Sequence, residues 1–201
     1  MHFDFIDIGT CDFDTSINNL LNENSDKTAL LVEPIKMYLD NLPSLKNTLK
    51  VNVAISNHKS RAKVFYLDEE IISKYNLPWY LRGCNSLHVI HNSVLHYLND
   101  LNLSTDIVKS HEVDVITFQD LLNIYDIQSI GQLKIDTEGL DHLILPFLLE
   151  KIEIGFEVNT IIFEYQEIFH NTNDLDKLIH LFEKNGYKRI YISEFDIGLS
   201  K

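Results

Sequence analysis

The chain has 201 residues, 45% of them hydrophobic, with only 7 glycines and 4 prolines, which is enough for one well-buried domain and too little for two of ordinary size. Its formal net charge of −13 and the lack of any lysine or arginine run argue against work on nucleic acid, whose non-specific affinity comes from those two residues. The two cysteines offer no disulfide framework and no thiolate-metal spacing, no apolar stretch approaches a membrane span, and the N-terminus reads as a strand rather than a leader, so the expectation is a cytoplasmic protein without a membrane partner.

Phe3 to Gly9 opens the chain as a strand, and no helix is expected before it. Ala29-Leu30-Leu31-Val32-Glu33 is the second strand, and Glu33 follows Gly9 by 24 residues. That is about the length of a strand, turn, helix, turn and strand, so Gly9 and Glu33 are expected to meet at the carboxyl edge of a parallel sheet. A carboxylate there accepts the two hydroxyls of a ribose, which points to an adenosine-containing cofactor. The intervening loop, Gly9-Thr10-Cys11-Asp12-Phe13-Asp14, has one glycine and several acids. A dinucleotide pyrophosphate needs more glycine and less negative charge. The loop suits a cofactor that carries a sulfonium and an ammonium, and S-adenosylmethionine is the common nucleoside of that kind. The alternative is an ordinary strand-helix-strand unit in which Asp14, Thr15 or Ser16 caps the helix and Glu33 is simply exposed.

Further along, Ile35 to Leu42 reads as a short helix and Leu49 to Ile55 as a third strand. Lys63 to Leu67 and Val113 to Thr117 are strand candidates that bracket a segment of no simple alternation, Asp68 to Glu112, expected to be an insertion or cap. Phe118 to Tyr125 is helical in pattern, and Gly131 to Asp136 returns to the sheet. Asp141 to Leu145 is expected to be a helix that breaks or restarts at Pro146. Thr160 to Tyr165 is the fifth strand of the sheet. Leu175, Leu178, Ile179 and Phe182 mark one face of a helix that Gly186 is placed to end, and Arg189 to Ile192 is a last strand. The order implies an α/β sandwich with a mostly parallel sheet and helices on both faces, in one domain over 1–201 with the insertion at about 68–112.

With Ile6-Asp7-Ile8-Gly9, Val32-Glu33-Pro34, Val53-Ala54-Ile55-Ser56-Asn57 and Lys134-Ile135-Asp136-Thr137-Glu138-Gly139 at successive strand ends, the chain resembles the FkbM family of methyltransferases over nearly its whole length. Val115 to Leu122, Ile162-Phe163-Glu164 and Gly186-Tyr187 fall in the order that family shows. The resemblance implies a class I, Rossmann-like fold dependent on S-adenosylmethionine and, most often, methyl transfer to an oxygen of a carbohydrate or other small molecule. The first loop departs from the family pattern, with Cys11 where a small polar residue is common and Phe13 where glycine is.

Alcohol methylation needs alignment with the methyl carbon and a base for the leaving proton. Asp136 is the expected base or acceptor-orienting residue, with Glu138 as alternative and Lys134 as electrostatic partner. The competing reading has Asp136 and Glu138 capping the next helix. For the cofactor, Glu33 is expected on the ribose, the Gly9 and Thr10 backbone near the methionine portion, Asp7 on the ammonium, and Ile55 and Ser56 beside adenine. Asp7 is otherwise a satisfied strand-end acid. Trp79, Ser86 and Glu164 are the expected acceptor contacts, with Trp79 able to stack on a sugar face. A divalent ion on Asp136, Glu138 and Glu164 is a third option without a dedicated ligand set, and His88, His91 and His96 lack a zinc spacing and read as scattered surface histidines. No metal is expected. The competing function is a catalytically silent binding protein that keeps the fold, and the oligomeric state is left open.

Overall fold

In the computed structural model the described residues are 1–12, 26–44, 46–165, 172–193 and 195–201. The elements run in chain order as β1 (His2–Ile8), β2 (Ala29–Val32), α1 (Lys36–Asn41), β3 (Thr48–Val51), β4 (Ala54–Ser56), β5 (Ser60–Tyr66), α2 (Glu69–Tyr75), β6 (Ser86–Leu87) and α3 (Asn92–Asp100). They continue as β7 (Lys109–Thr117), α4 (Phe118–Ile124), β8 (Ser129–Ile135), α5 (Asp141–Glu153), β9 (Glu157–Glu164), α6 (Thr172–Lys184), β10 (Lys188–Ile192) and β11 (Asp196–Ser200). Phe13, Asp14, Thr15 and Ser16, and with them the proposed first-loop cap, lie outside the described residues.

The main sheet has the order β10-β11-β9-β8-β1-β2-β3. Strands β3, β2, β1, β8 and β9 are parallel, β11 runs against them, and β10, antiparallel to β11, returns to their direction at the edge. The chain winds outward from β1 in one direction through β2 and β3 and in the other through β8 and β9. Ligands of open α/β sheets bind at the carboxyl ends of the strands flanking such a reversal. Ile6, Ile8, Leu30 and Val32 point into a large core shared with α4, α5 and α6. Phe5, Ala29 and Leu31 pack on the other face against Leu39 and Leu42, which belong to α1 and the residue after it. This is the two-sided burial expected of a parallel sheet.

Three expectations need correction. The stretch from Leu49 to Ile55 is two strands, not one, and they lie in different sheets. Asn52 breaks it by donating its side-chain amide to the Glu33 and Pro34 carbonyls, both at 2.8 Å. After that turn the chain enters a second sheet, ordered β4-β7-β5-β6, in which β5 and β7 pair directly as antiparallel neighbours. The segment between them therefore hangs from a hairpin-like pair. It builds its own small core from Leu67, Ile71, Ile72, Leu77, Leu81, Val94 and Leu98.

Helix α5 runs unbroken through Pro146. Ile144, Leu145, Leu148, Leu149 and Ile152 are buried on both sides of it, while Pro146 and His142 face solvent. The carbonyl that the proline leaves without its helical donor is thus on the wet side, where water can take it. Lastly, β11 inserts between β9 and the strand read at the C-terminus.

Other features follow the sequence closely. Thr117 and Asp120 form a reciprocal capping box that starts α4, and such a box satisfies two otherwise orphaned N–H groups. Leu175, Leu178, Ile179 and Phe182 are buried on one face of α6. Gly186, with φ +89, lets the Tyr187 N–H turn back to the Phe182 carbonyl at 3.2 Å.

Candidate active site

A cavity of about 760 Å³ opens at the carboxyl ends of β1 and β8 and extends under the insertion. Its floor depends on Gly9. The Asp136 N–H donates to the Ile8 carbonyl at 2.9 Å, which draws the ends of β1 and β8 together. A Cβ on Gly9 would stand 1.7 Å from the Asp136 carbonyl oxygen, and Gly9 has φ +82. Only glycine permits that approach.

Next to it, Glu33 is 3% exposed. Its Oε2 accepts the Cys11 N–H at 2.9 Å and its Oε1 the Ile35 N–H at 2.8 Å, so the loop after β1 wraps around this carboxylate. Burial pushes the Glu33 carboxyl up to about 7; the two N–H groups oppose that rise, and the charges of Asp7 and Asp12 add to it. Asp12 in turn pairs with Arg82 of the insertion and accepts the Asn41 amide at 2.7 Å. The Arg82 guanidinium lies 4.9 Å from the centre of the Tyr38 ring. Arg82 thereby ties the insertion to the first loop.

On the β8 side, Lys134 donates to Asp136 Oδ2 at 3.0 Å. Neither Asp136 nor Glu138 caps the following helix: α5 begins at Asp141 with Leu140 at its N-cap and no side-chain cap bond. Asp141 instead is fully buried. Its Oδ1 accepts both the N–H (2.9 Å) and the hydroxyl of Thr137, and its Oδ2 accepts the Glu164 N–H at 3.2 Å. Burial, reinforced by the charge of Asp136, pushes the Asp141 carboxyl up to about 7. One carboxylate thus holds the loop that carries Asp136 and Glu138 against the end of β9.

Of the residues expected from the sequence, Gly9, Glu33, Ile55, Trp79, Asp136, Glu138 and Glu164 line the cavity together. Trp79 sits at the rim with 66% of its surface exposed. The others are not at its wall. Asp7 and Thr10 are fully buried, and the Thr10 hydroxyl donates to the Cys11 carbonyl at 3.0 Å. The Gly9 and Thr10 amides, expected near a methionine portion, both donate to the Val32 carbonyl at 2.9 and 3.4 Å. Ser56 is buried on β4, Ser86 belongs to β6, and Lys134 is buried and paired with Asp136. His91 is not a surface histidine: it is buried, lines the cavity and places Nε2 3.3 Å from Glu138 Oε2.

The wall is chemically one-sided. Glu33, Asp136, Glu138, Glu164 and Asp196 contribute carboxylates, and no lysine or arginine is among the described lining residues. Ile8, Val32, Val53, Ala54, Ile55, Val64 and Leu87 form an apolar part. Sequence reasoning missed Asp141, Arg82 and Cys84. Asp141 read as an ordinary first helical residue, and nothing local distinguishes Arg82 or Cys84.

The family model described as the methyltransferase FkbM domain matches residues 7–189. No curated protein and no solved structure matches the chain.

Proposed function

We propose that this chain, which belongs to the FkbM methyltransferase family, uses S-adenosylmethionine to methylate a hydroxyl oxygen of a carbohydrate or other small molecule. The observation that carries this reading is the carboxylate-rich wall, with no lysine or arginine among the described lining residues, set beside an apolar surface at the β1–β8 reversal. A phosphate-rich dinucleotide is repelled there, whereas a ligand with a sulfonium, an ammonium and an uncharged adenosine is matched. The strand order and the position of the reversal support the Rossmann-like reading of the fold.

The residues present fit that ligand. Both Glu33 oxygens are fixed by backbone donors, and each keeps acceptor capacity for a ribose hydroxyl. Ile55 with Val53 and Leu87 offers an apolar surface for a base. When bound, the sulfonium supplies an activated methyl carbon and a neutral thioether leaving group. The chain's own task is to hold the acceptor in line and to take its proton. Asp136 is suited to both, because Lys134 fixes one of its oxygens and Asp141 fixes the loop that carries it. As the oxygen–carbon bond forms and the carbon–sulfur bond breaks, the hydroxyl proton passes to this carboxylate. Such positioning and proton removal are the large terms available to a reaction of this kind. Trp79 at the rim gives a face on which a sugar ring can stack.

Thermal unfolding with S-adenosylmethionine, S-adenosylhomocysteine and NAD tests this. A native-state ligand at about 100 times its dissociation constant adds roughly 2.7 kcal/mol, so both S-adenosyl compounds should raise the unfolding temperature and NAD should not. Stabilisation by NAD alone overturns the cofactor assignment.

A further inference from the structure

The insertion and the β8 loop meet at three side chains of different chemistry. Cys84 follows the 3-10 turn Trp79–Arg82, His91 is the N-cap of α3, and Glu138 stands in the loop between β8 and α5. Glu138 has φ +52, a left-handed conformation that a residue with a long side chain adopts only where its surroundings hold it there. One donor atom from each of the three lies within 4.8 Å of the other two, and all three line the cavity. We propose that Cys84, His91 and Glu138 form a binding site for a divalent transition-metal ion of the zinc class.

The donor set selects the ion. Zinc binds thiolate, imidazole and carboxylate at about 2.0–2.3 Å, and two such bonds nearly bridge the observed spacing. Magnesium and calcium take oxygen ligands and gain nothing from a sulfur or a ring nitrogen. The all-oxygen set considered from the sequence, Asp136 with Glu138 and Glu164, does not group in this way among the described residues. Cys84 forms no disulfide and is half-buried, and its thiol donates to the Tyr80 carbonyl at 3.9 Å, a weak contact that a metal-bound thiolate gives up.

The histidine shows what metal binding displaces. His91 Nδ1 accepts the Ser93 N–H at 3.2 Å, so in the neutral ring the proton sits on Nε2, the atom 3.3 Å from Glu138 Oε2. An ion takes the place of that proton. The ring proton then moves to Nδ1 and the long Ser93 contact is given up, a small loss beside three metal–ligand bonds.

Three protein ligands would leave a coordination position open to a further ligand, and all three residues line the cavity that Asp136 also lines. A hydroxyl oxygen bound there is made more acidic and yields its proton to Asp136; the oxygen then bonds the methyl carbon as the carbon–sulfur pair leaves with sulfur. This role, though not the site, rests on the methyl-transfer reading given above.

The test is titration of the full chain, freed of metal by chelation, with Co²⁺. The expected result is a thiolate-to-Co²⁺ charge-transfer band and four-coordinate d–d bands that saturate at one equivalent and are displaced by Zn²⁺. Cys84→Ser should abolish the charge-transfer band while Cys11→Ser keeps it, and His91→Ala and Glu138→Gln should each weaken Co²⁺ binding at least about tenfold. Unfolding curves of the metal-free variants identify any that fail to fold, and the wild-type spectrum stands without them. Absence of the band in the wild type, or its survival in Cys84→Ser, overturns the site. Calorimetry with S-adenosylhomocysteine on the metal-free protein separates the two readings. Nucleoside binding without Co²⁺ binding removes only the metal, and Co²⁺ binding without nucleoside binding removes only the cofactor reading.

Discussion

Glu33→Gln probes the ribose assignment with the least disturbance to shape. The Cys11 and Ile35 amides each point at one carboxylate oxygen, at 2.9 and 2.8 Å, and each oxygen keeps a lone pair for a ligand hydroxyl. A glutamine amide replaces one of those oxygens by a donor. Whichever way it lies, one backbone N–H then faces another donor and one ligand hydroxyl loses its acceptor. Hydrogen bonds to a charged group contribute about 1.5–3 kcal/mol, so loss of one predicts S-adenosylhomocysteine binding weaker by roughly ten- to 150-fold. The comparison also has a pH signature. Burial pushes the Glu33 carboxyl up to about 7, and a ligand that donates two hydroxyls binds the ionised form. Wild-type affinity should therefore rise with pH up to about 7 and then level, while the variant stays flat. Isothermal titration at about one pH unit either side of that value measures both effects. Equal dissociation constants for wild type and variant on the alkaline side, with both proteins folded, would refute the assignment of Glu33 to the ribose.

Gly9→Ala puts a methyl 1.7 Å from the Asp136 carbonyl oxygen at a backbone φ of +82; urea unfolding should show a loss of at least about 3 kcal/mol, and an unchanged midpoint would contradict the tight β1–β8 approach. Arg82→Met leaves Asp12 with the Asn41 amide but without its cation, and loss of this half-buried charged hydrogen bond predicts about 1.5–3 kcal/mol. Adding Asp12→Asn should return most of it in a double-mutant cycle, and simple additivity would show the pair to be uncoupled. Asp141 has its carboxyl raised from 3.8 to about 7, so the folded state keeps that proton to higher pH than the unfolded chain. Its contribution is fully present below about pH 4 and is lost as pH rises to about 7, a span worth up to about 4 kcal/mol. Denaturant titrations should show that slope diminished in Asp141→Asn, with the Glu33 part remaining; an identical slope would remove Asp141 as its source.

The parts of the fold that were legible are those fixed by local chemistry. Gly9 and Glu33 announce a strand end because a turn glycine and a terminal acid recur at the spacing of a strand-helix-strand unit. Phe118 to Tyr125 reads as a helix from its pattern, and the structure shows its start held by Thr117 and Asp120 within one turn, while the α6 stripe repeats at the helical period. Sheet membership is another matter. Leu49 to Ile55 alternates regularly, yet alternation does not say which neighbour a strand will find, and the Asn52 bonds to the Glu33 and Pro34 carbonyls divide it between two sheets. The insertion defeats periodicity for a similar reason, since its attachment is a two-residue strand pairing Val64 with Leu87 and Phe65 with Ser86.

The site divides along the same line. Residues that belong to a strand end could be read where they stand: Glu33, Asp136 and Glu138 each follow an apolar run and reach the cavity from the edge that run creates. Residues whose role is set by a distant partner could not. Asp141 looks like a helix start until the Glu164 amide, 23 positions away, is seen to donate to it. Arg82 and Asp12 are 70 positions apart and form one contact. Cys84 and His91 carry no recognisable spacing because their third companion, Glu138, comes from the other side of the cavity. The core sheet thus supplies the acidic edge on its own, and the insertion completes the site by bringing a guanidinium to the first loop and a thiol and an imidazole to the β8 loop. Variants within the insertion should therefore alter the site without unfolding the main sheet, whereas Gly9 and Asp141 variants should disturb both.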